Sequence, residues 1–422
     1  MNTLSQTPEL LMPAGSLEKM RMALAFGADA VYAGLPFFSL RARENEFNAE
    51  DLSVGISEAR AMGKKLYLTA NIFARNLKLK SYSENLAKWA ALKPDAMIMS
   101  DPGLIMMARE HFPEIPIHLS VQANCMNWQA VKFWEKMGVS RIILSRELRI
   151  EEVKEIRQRV PGIELEAFVH GSICIAYSGR CLMSHYMSYR DANQGVCDNS
   201  CRYGFEVYTN KPPTDPEQDF YLKDLRDPEQ LYRIDEDEHG THLMNSKDLC
   251  LVDSLQALRE AGICSFKVEG RTKSIYYAAM ISRIYRQAID DMMGGRVFNA
   301  QLLEELEKLS NRGYFSGFMM GTQTHKSINY QPSARAQQSQ FIGITTGVKP
   351  TGTIEFEAKG QISCGEEIDV ITPKRTFVSR VVSLTKNSGA SCEKVHAGFG
   401  LCQAQFSNDV PVSSILCKRV DA

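Results

Sequence analysis

The sequence lacks any long apolar run, and no stretch approaches the roughly 18 uninterrupted apolar residues of a membrane-spanning helix. Its first residues, MNTLSQTPELLMPAG, lack the basic-then-apolar order of a secretory signal. An excess of one charge is also missing, because 49 Lys and Arg residues against 50 Asp and Glu residues give a net charge of −1. We therefore expect a cytoplasmic protein without a membrane partner, in which a local patch must bind any polyanion.

Common catalytic signatures are missing as well. No GxGxxG motif opens the first helix, which argues against a dinucleotide-binding fold, and no HExxH zinc-protease motif is present. With 44% hydrophobic and 23% charged residues, 28 Gly and 16 Pro, the composition excludes collagen-like, disordered and coiled-coil proteins. A chain of 422 residues has room for a barrel-sized domain and a smaller one.

Short apolar runs alternate with amphipathic stretches along most of the chain. An eighth run, Ser265–Glu269, is followed by the helical stretch Ser274–Met293. Eight β/α units in order favour an α/β fold, a (β/α)₈ TIM-like barrel, over an open doubly wound sheet. The first seven runs are Glu9–Pro13, Ala30–Gly34, Lys65–Asn71, Ala96–Ser100, Ile117–Val121, Arg141–Ser145 and Glu164–Phe168. Helix N-caps are expected at Ser16, Asn48 and Asp101.

Two departures from this alternation divide the chain. A long insertion at about 171–260 separates the seventh strand from the eighth, and insertions of that size after a barrel strand usually carry function. From about residue 335, short strands recur at roughly 10-residue intervals, which is typical of a small all-β domain. We predict a barrel over 1–333, including the cysteine-bearing insertion, and a small β-barrel C-terminal domain over 334–422.

The insertion contains Cys174, Cys181, Cys197 and Cys201, separated by six, fifteen and three residues. Four converging thiolates suit tetrahedral zinc or a 4Fe-4S cluster. The paired CxxC motifs usual for structural zinc are missing, and nearby glycines would let backbone amides approach inorganic sulfides. The pattern therefore favours 4Fe-4S, with Cys250 as a further candidate ligand. The alternative is four reduced thiols that only fill space in a core.

Polar residues at the C-terminal ends of barrel strands are the candidates for chemistry. Arg146 and Arg271 can clamp a carboxylate or phosphate, and His170 and Glu147 can exchange protons. A satisfied structural network is the alternative for each. The predicted catalytic residues are Glu147, Glu166, His170 and Glu269. The predicted substrate-binding residues are Asn71, His118, Gln122, Arg146, Lys267 and Arg271.

Basic residues with aromatic neighbours form two candidate patches for nucleic acid. Such residues grip phosphates and stack on unpaired bases, although a solvated charged surface explains them equally well. One patch on early loops comprises Arg41, Arg43, Lys64, Lys65, Arg75, Lys78 and Lys80. The other flanks the cysteines and comprises Arg180, Arg190, Arg202 and Tyr203.

A longer signature surrounds the cysteines. The segment Glu166–Ser184, EAFVHGSICIAYSGRCLMS, resembles the signature of the collagenase-like peptidase family U-32. The likeness continues through Asn193–Arg202, Met244–Leu249 and Lys267–Arg271, and through LLMPAG and GADAVYAG near the start. Within that family, the chain resembles the bacterial tRNA hydroxylation branch, whose members support 5-hydroxyuridine formation at the wobble position.

The resemblance implies a tRNA-modifying enzyme that acts on the anticodon loop, with prephenate as co-substrate. It implies a 4Fe-4S cluster held by Cys174, Cys181, Cys197 and Cys201, and a barrel with a C-terminal β domain. A partner protein in the modification pathway is also compatible with the resemblance. Two alternatives stay open: a collagenase-like peptidase, and an RNA-binding scaffold that recruits a separate modifying enzyme. No nucleophile or metal-protease motif supports the first.

Overall fold

The structure is a computed structural model that describes residues 6–40, 47–174, 176–178, 180–181, 183–190, 192, 196–197, 220–223, 231–237, 240–242, 246–321 and 340–418. The predicted ligand Cys201 lies outside these ranges, as do Arg41, Arg43, Arg202 and Tyr203 of the predicted patches. Within them, no helix combines the length and the apolar composition needed to cross a bilayer.

Eight parallel strands close into a barrel, which confirms the fold predicted from the eight apolar runs. They follow one another around the barrel in chain order, and the last pairs with both the seventh and the first. These strands are β1 (Glu9–Ala14), β2 (Ala30–Gly34), β3 (Lys65–Ala70), β4 (Ala96–Met99), β5 (Ile117–Leu119), β6 (Arg141–Ile143), β7 (Glu164–Ser172) and β12 (Ser265–Val268).

Helices cover the outside of the barrel, and three begin at the predicted caps. Ser16, Asn48 and Asp101 each accept a backbone N–H of the first helical turn through a side-chain oxygen. The helices are α1 (Leu17–Ala25), α2 (Ala49–Ala61), α3 (Asn76–Ala91), α4 (Pro102–His111), α5 (Trp128–Lys136), α6 (Ile150–Arg159), α7 (Met183–Ser188), α8 (Leu255–Glu260), α9 (Ile275–Met293) and α10 (Gln301–Glu307).

The segment between β7 and β12 adds strands outside the barrel. A small antiparallel sheet contains β8 (Phe220–Lys223), β9 (Leu231–Asp237) and β10 (Gly240–His242). Strand β11 (Asp248–Cys250) pairs antiparallel with β7, and β13 (Tyr314–Phe315) pairs with β11. Strand β7 runs four residues beyond the predicted end at Phe168, because β11 supplies a partner for this extension.

A separate antiparallel domain follows, as predicted. Its own buried core includes Phe356, Val370 and Val381, and it contacts the barrel where the Phe341 ring lies 6.0 Å from that of Tyr276 on α9. The boundary at 333/334 stays a prediction, because 322–339 lie outside the described residues. The strands are β14 (Gln340–Val348), β15 (Ile354–Ala358), β16 (Ile362–Ser363), β17 (Glu367–Ile371), β18 (Thr376–Lys386), β19 (Ser391–Cys392), β20 (Lys394–Val395), β21 (Leu401–Phe406) and β22 (Ile415–Lys418).

A buried ionic network occupies the barrel interior towards the N-terminal ends of the strands. Arg141 Nη1 lies 2.6 Å from Glu9 Oε1 and 3.1 Å from Glu166 Oε2. Lys267 Nζ donates to Glu166 Oε1 at 2.9 Å, and Ser265 Oγ lies 3.0 Å from Glu9 Oε1 and 3.1 Å from Glu166 Oε2, so that its one hydrogen can be donated to either carboxylate. Burial alone would raise the pKa of Glu9, but Arg141, together with the Tyr67 hydroxyl and Lys65, outweighs burial, and the pKa of Glu9 is lowered. Arg141 is therefore the cation that compensates the buried charges of both Glu9 and Glu166.

We predict that Arg141→Met lowers the free energy of unfolding by about 3–5 kcal/mol, because it leaves buried carboxylates without their partner. Arg21 provides a matched control, since its Nη2 lies 2.6 Å from Glu58 Oε1 while the two side chains are 52% and 36% exposed. Arg21→Met should cost at most about 1 kcal/mol. Urea unfolding measures the free energy of unfolding of both variants. Equal losses in the two variants would contradict the claim that burial makes the Arg141 ion pairs more important for stability.

Candidate functional site

Small polar side chains from β3 to β5 line one half of the barrel mouth. Asn71 Nδ2 donates to Ser120 Oγ at 3.2 Å. Ser100 Oγ lies 3.1 Å from the carbonyl oxygen of Asn71 and 3.4 Å from Gln122 Oε1. Gln122 belongs to a 3₁₀ turn, Val121–Ala123, that follows β5. Two of the predicted substrate-binding residues, Asn71 and Gln122, therefore share one hydrogen-bonded network.

The other half of the mouth alternates cations with aromatic rings. Arg146 Cζ lies 4.0 Å from the centre of the Phe168 ring, and Lys267 Nζ lies 5.5 Å from the same centre. On its other side, Lys267 Nζ lies 4.3 Å from the Tyr32 ring centre, and Arg271 Cζ lies 5.8 Å from it. We call this row of five residues the cation–aromatic wall. Three predicted substrate-binding residues belong to it, and their positive charges face aromatic rings.

Arg146 has hydrogen-bonding capacity to spare. Its Nη1 donates to the carbonyl oxygen of Ser172 at 3.0 Å. In the part of the chain that the structure describes, its buried Nε has no hydrogen-bond partner. A carbonyl orients a guanidinium without neutralising it, so this group keeps its charge and a donor for an anion.

Gly34 provides the space that the Arg271 guanidinium occupies. A Cβ atom built on Gly34 would collide with Arg271 Nη1. Arg271 Nη2 donates to the carbonyl oxygen of Leu40 at 2.6 Å, and the Leu40 amide donates to Asn71 Oδ1 at 3.1 Å. The loop after β2 thus connects the polar half of the mouth to the cation–aromatic wall.

His118 and Glu166 lie deeper than the mouth, and Lys267 is the innermost cation of the cation–aromatic wall, because its Nζ pairs with Glu166. The His118 ring packs edge-to-face on Tyr67, with ring centres 4.8 Å apart. Burial, followed by the charges of Arg141 and Lys267, lowers the pKa of His118 well below 6.5. His118 is therefore neutral at neutral pH, and Glu166 belongs to the ionic network. Their predicted catalytic and substrate-binding roles stay predictions.

His170 faces away from the barrel interior. The register between β7 and β12 shifts by one residue, so that Lys267 pairs with Phe168 while Val268 pairs with His170. The imidazole then lies against α9, with Nδ1 3.2 Å from the Tyr285 hydroxyl oxygen. Burial lowers the pKa of His170 to about 3. Its proton exchange with Glu147 stays a prediction.

Glu147 and Glu269 follow the ends of β6 and β12. Glu147 is partly exposed, and within the described ranges its buried Oε2 has no hydrogen-bond partner. The backbone of Glu269 bonds to its surroundings, because its N–H donates to the carbonyl of His170 at 2.9 Å and its carbonyl accepts from the Tyr277 hydroxyl at 2.9 Å. Both carboxylates lie at the rim expected for catalytic residues.

Three of the four predicted cluster ligands are described. Cys174 comes two residues after β7 and is exposed, Cys181 is partly exposed, and Cys197 is exposed. Among the described residues, no three His, Cys, Asp or Glu side chains come together as a metal site. Because Cys201 lies outside those residues, the complete ligand set is not on view and the 4Fe-4S cluster stays a prediction.

Several residues of the mouth were not predicted from the sequence. Tyr32 and Phe168 carry the cation–aromatic wall, and Gly34 makes room for Arg271. A signal was available, since Tyr32 and Gly34 alternate on one face of β2 and Phe168 follows Glu166 by two residues. Such apolar residues nevertheless look like ordinary core in a buried strand.

The fold and the mouth define a (β/α)₈ barrel protein whose mouth carries a row of cations and aromatic rings. The model of Peptidase family U32 matches residues 15–329, so the chain belongs to that family. A relative from Escherichia coli strain K12 named tRNA hydroxylation protein P is 47% identical over 395 residues, 87% of this chain and 86% of the relative. A Haemophilus influenzae relative of the same name is 46% identical over 422 residues, covering 93% of this chain and 91% of the relative. A third, named Collagenase, from Porphyromonas gingivalis, is 29% identical and covers 92% of each chain.

We predict that acid destabilises the protein partly through His170. Its folded pKa of about 3 lies below the ordinary value of 6.5, so below about pH 6.5 the unfolded chain binds a proton that the folded chain does not. The free energy of unfolding should then fall with decreasing pH, by at most about 1.4 kcal/mol per unit from this group. His170→Asn should reduce this slope between about pH 5 and 6.5. The same substitution at the exposed His111 should not, and an unchanged slope in the His170 variant would count against the assignment.

Proposed function

We propose that this protein modifies tRNA by supporting hydroxylation of the wobble uridine to 5-hydroxyuridine, with prephenate as co-substrate and a 4Fe-4S cluster. The names of the Escherichia coli and Haemophilus influenzae relatives support the tRNA hydroxylation part. The finer parts rest on the chemistry of the mouth and of the cysteines. The cation–aromatic wall is the observation that carries the proposal.

Prephenate is a dicarboxylate with an unsaturated ring and a ring hydroxyl, and each part has a counterpart at the mouth. Guanidinium groups bind carboxylates through charge-assisted hydrogen bonds, and Arg146 offers the unused Nε described above. The rings of Tyr32 and Phe168 offer apolar faces to a flat, unsaturated ring. Asn71 and Gln122 offer amide groups to the hydroxyl.

The pyrimidine part of the reaction requires redox chemistry. Carbon 5 of uracil is not acidic, so acid and base side chains alone cannot introduce a hydroxyl there. A 4Fe-4S cluster, when bound, supplies electron transfer that side chains cannot. Cys174 and Cys181 are free thiols after the end of β7, the chemical state that cluster binding requires.

The side chains of this chain would bind and orient the co-substrate. Arg146 and Arg271 would hold the carboxylates, while Glu147 and Glu269 stand at the rim as candidates for proton transfer. The deeper Lys267 and Glu166 would keep the floor of the site in place through their 2.9 Å ion pair. The wobble uridine would approach from solvent at the strand ends, since a base must leave its stack to be modified.

Function is tested by nucleoside mass spectrometry on tRNA from cells that carry a deletion of the gene and a plasmid copy. Wild-type protein should restore 5-hydroxyuridine, and anaerobically purified protein should contain about four irons per chain, the count of one cubane cluster. Cys174→Ala should lose both iron and the modified nucleoside, while the buried Cys402→Ala in the C-terminal domain should retain both. Full modification by an iron-free Cys174→Ala protein would contradict the cluster assignment.

We predict that Arg146→Gln weakens prephenate binding by about 10- to 100-fold, the range expected when a charge-assisted hydrogen bond is lost. Arg109→Gln is the control, because Arg109 is on α4 and its Nη1 donates to the carbonyl oxygen of Pro113 on the surface. Isothermal titration calorimetry measures both affinities. Equal prephenate affinities for the two variants would show that Arg146 does not bind prephenate.

Gly34→Ala tests the position of Arg271 without changing any charge. The added methyl would collide with both Arg271 Nη1 and Ser39 Oγ, so we expect the guanidinium and the loop after β2 to shift and prephenate binding to weaken, with iron content unchanged. Gly321→Ala is the matched control, because no described atom lies within 4 Å of a Cβ at that position. Unchanged affinity in Gly34→Ala, measured by the same titration, would mean that the guanidinium is not needed in this position.

The main alternative is a peptidase. It is favoured by the family description and by the relative named Collagenase. Cleavage of a gelatin substrate by the purified protein, surviving iron chelation and lost in Glu147→Gln, would support it.

The second alternative is an RNA-binding scaffold that recruits a separate modifying enzyme. It would be supported if the purified protein modifies tRNA only after another enzyme is added.

A further inference from the structure

The loop after β2 turns two consecutive phenylalanines in opposite directions. Phe38 is buried, and its ring makes edge-to-face contacts with Tyr82 and Trp89 at centre distances of 5.3 and 4.9 Å. Phe37 is 75% exposed and has a left-handed backbone with φ of 65°. Residues with a Cβ disfavour that conformation, so the fold holds this ring in solvent at a cost.

Hydrogen bonds fix the loop on both sides of Phe37. The amides of Phe38 and Ser39 donate to the carbonyl oxygen of Leu35 at 3.3 and 3.1 Å. Leu40 is bound to Arg271 and Asn71, two residues of the candidate site. The exposed ring therefore has a defined position at the barrel mouth, three residues from a direct contact with the site.

The start of α3 lies beside this loop. Lys78 Nζ donates to the carbonyl oxygen of Phe37 at 3.3 Å, and Leu77 is 94% exposed. Arg75 and Lys80 are exposed in the same segment, and the sequence has no Asp or Glu between residues 71 and 83. We call Phe37, Arg75, Leu77, Lys78 and Lys80 the rim patch. It combines an exposed ring with several cations.

We propose that the rim patch binds unpaired nucleotides of the RNA substrate, with one base stacked on Phe37 and the phosphates near Arg75, Lys78 and Lys80. This inference rests on the proposed function, in which the substrate is tRNA. Aromatic rings beside cations are the usual platform for unpaired bases, because every base has a face that can stack. An anticodon loop presents several unpaired bases in a row, so a nucleotide stacked on Phe37 would place its neighbour above the mouth.

The charge pattern favours RNA over an acidic membrane surface. Membrane-binding helices present a continuous apolar face, whereas the segment 75–80, Arg-Asn-Leu-Lys-Leu-Lys, alternates apolar and polar residues. The exposed apolar side chains are one ring, Phe37, and two leucines, Leu77 at 94% and Leu79 at 38% exposure, which is less than the continuous apolar face that enters a lipid layer. The cations offer positive charge to the phosphates of the same strand.

Binding of an anticodon stem-loop RNA with uridine at the wobble position tests the proposal, measured by fluorescence anisotropy on the holoenzyme. We expect Phe37→Ala to weaken binding about 10-fold, and Phe37→Trp to retain it with indole fluorescence quenched by the RNA. Phe133→Ala is the matched control, because Phe133 is 53% exposed on α5. Lys78→Gln should reduce the slope of log affinity against log salt by about 0.7.

The outcomes separate this proposal from the proposed function. If the wild-type protein binds and modifies tRNA while Phe37→Ala binds the RNA with unchanged affinity, the rim patch is not the RNA site and the function stands. If the wild-type protein neither binds the RNA nor restores 5-hydroxyuridine, the function itself fails. Iron content and prephenate affinity should be unchanged in Phe37→Ala. Binding to phosphatidylserine vesicles that is lost in Phe37→Ala, without loss of RNA binding, would assign the patch to membranes and overturn the proposal.

Discussion

The two ion pairs of the Glu166 carboxylate, with Arg141 and with Lys267 inside the barrel, are the interactions on which the rest of the structure depends. Strand β12 closes the barrel between β7 and β1, and Lys267 reaches from it to Glu166 on β7. Arg141 then connects Glu166 to Glu9 on β1. Closure thus brings together charges from four strands, and each is tolerated in the interior only because the others are present.

The same arrangement explains why cations are available at the mouth. The buried acids Glu9 and Glu166 lie lower in the barrel, where Arg141 holds them. At the strand ends, Arg146 donates instead to the backbone carbonyl oxygen of Ser172, which fixes the direction of its guanidinium without removing its charge, and Arg271 donates to the carbonyl oxygen of Leu40. A ligand with carboxylates can therefore be bound by groups that are already oriented, and preorganisation of this kind reduces the entropic cost of binding.

The barrel could be predicted from the sequence because each buried strand is a short apolar run with a helix after it. The C-terminal β domain could also be predicted from its regularly spaced strands, although β16 and β19 to β22 were not among the predicted strands. Strands β11 and β13 contain only three and two residues, too few for any periodic pattern to identify them. They pair where the fold brings distant segments together, which is information that local sequence does not contain.

The candidate site shows the same division between local pattern and tertiary contact. Position at a strand end identified Asn71, Arg146 and Arg271, since a barrel places all such ends at one opening. It could not reveal that His170 faces α9, because a one-residue shift in register between β7 and β12 changes the side of the strand to which the following side chains point. Nor could it distinguish Phe37 from Phe38, whose opposite exposures follow from a left-handed residue that the sequence does not announce.

The end of β7 connects Arg146 at the barrel mouth to the segment that contains the cysteines. Ser172 is the last residue of β7; its carbonyl oxygen accepts from Arg146 and its hydroxyl accepts from Arg312 Nη2 at 2.8 Å. Arg312 also pairs with Asp248 on β11, the strand that holds this end of β7 in place. Cys174 follows two residues later. The first predicted cluster ligand therefore comes directly after a held strand end, and the same strand end positions Arg146. Because both groups share this support, a change at Ser172 would disturb the start of the cysteine segment and the position of Arg146 together.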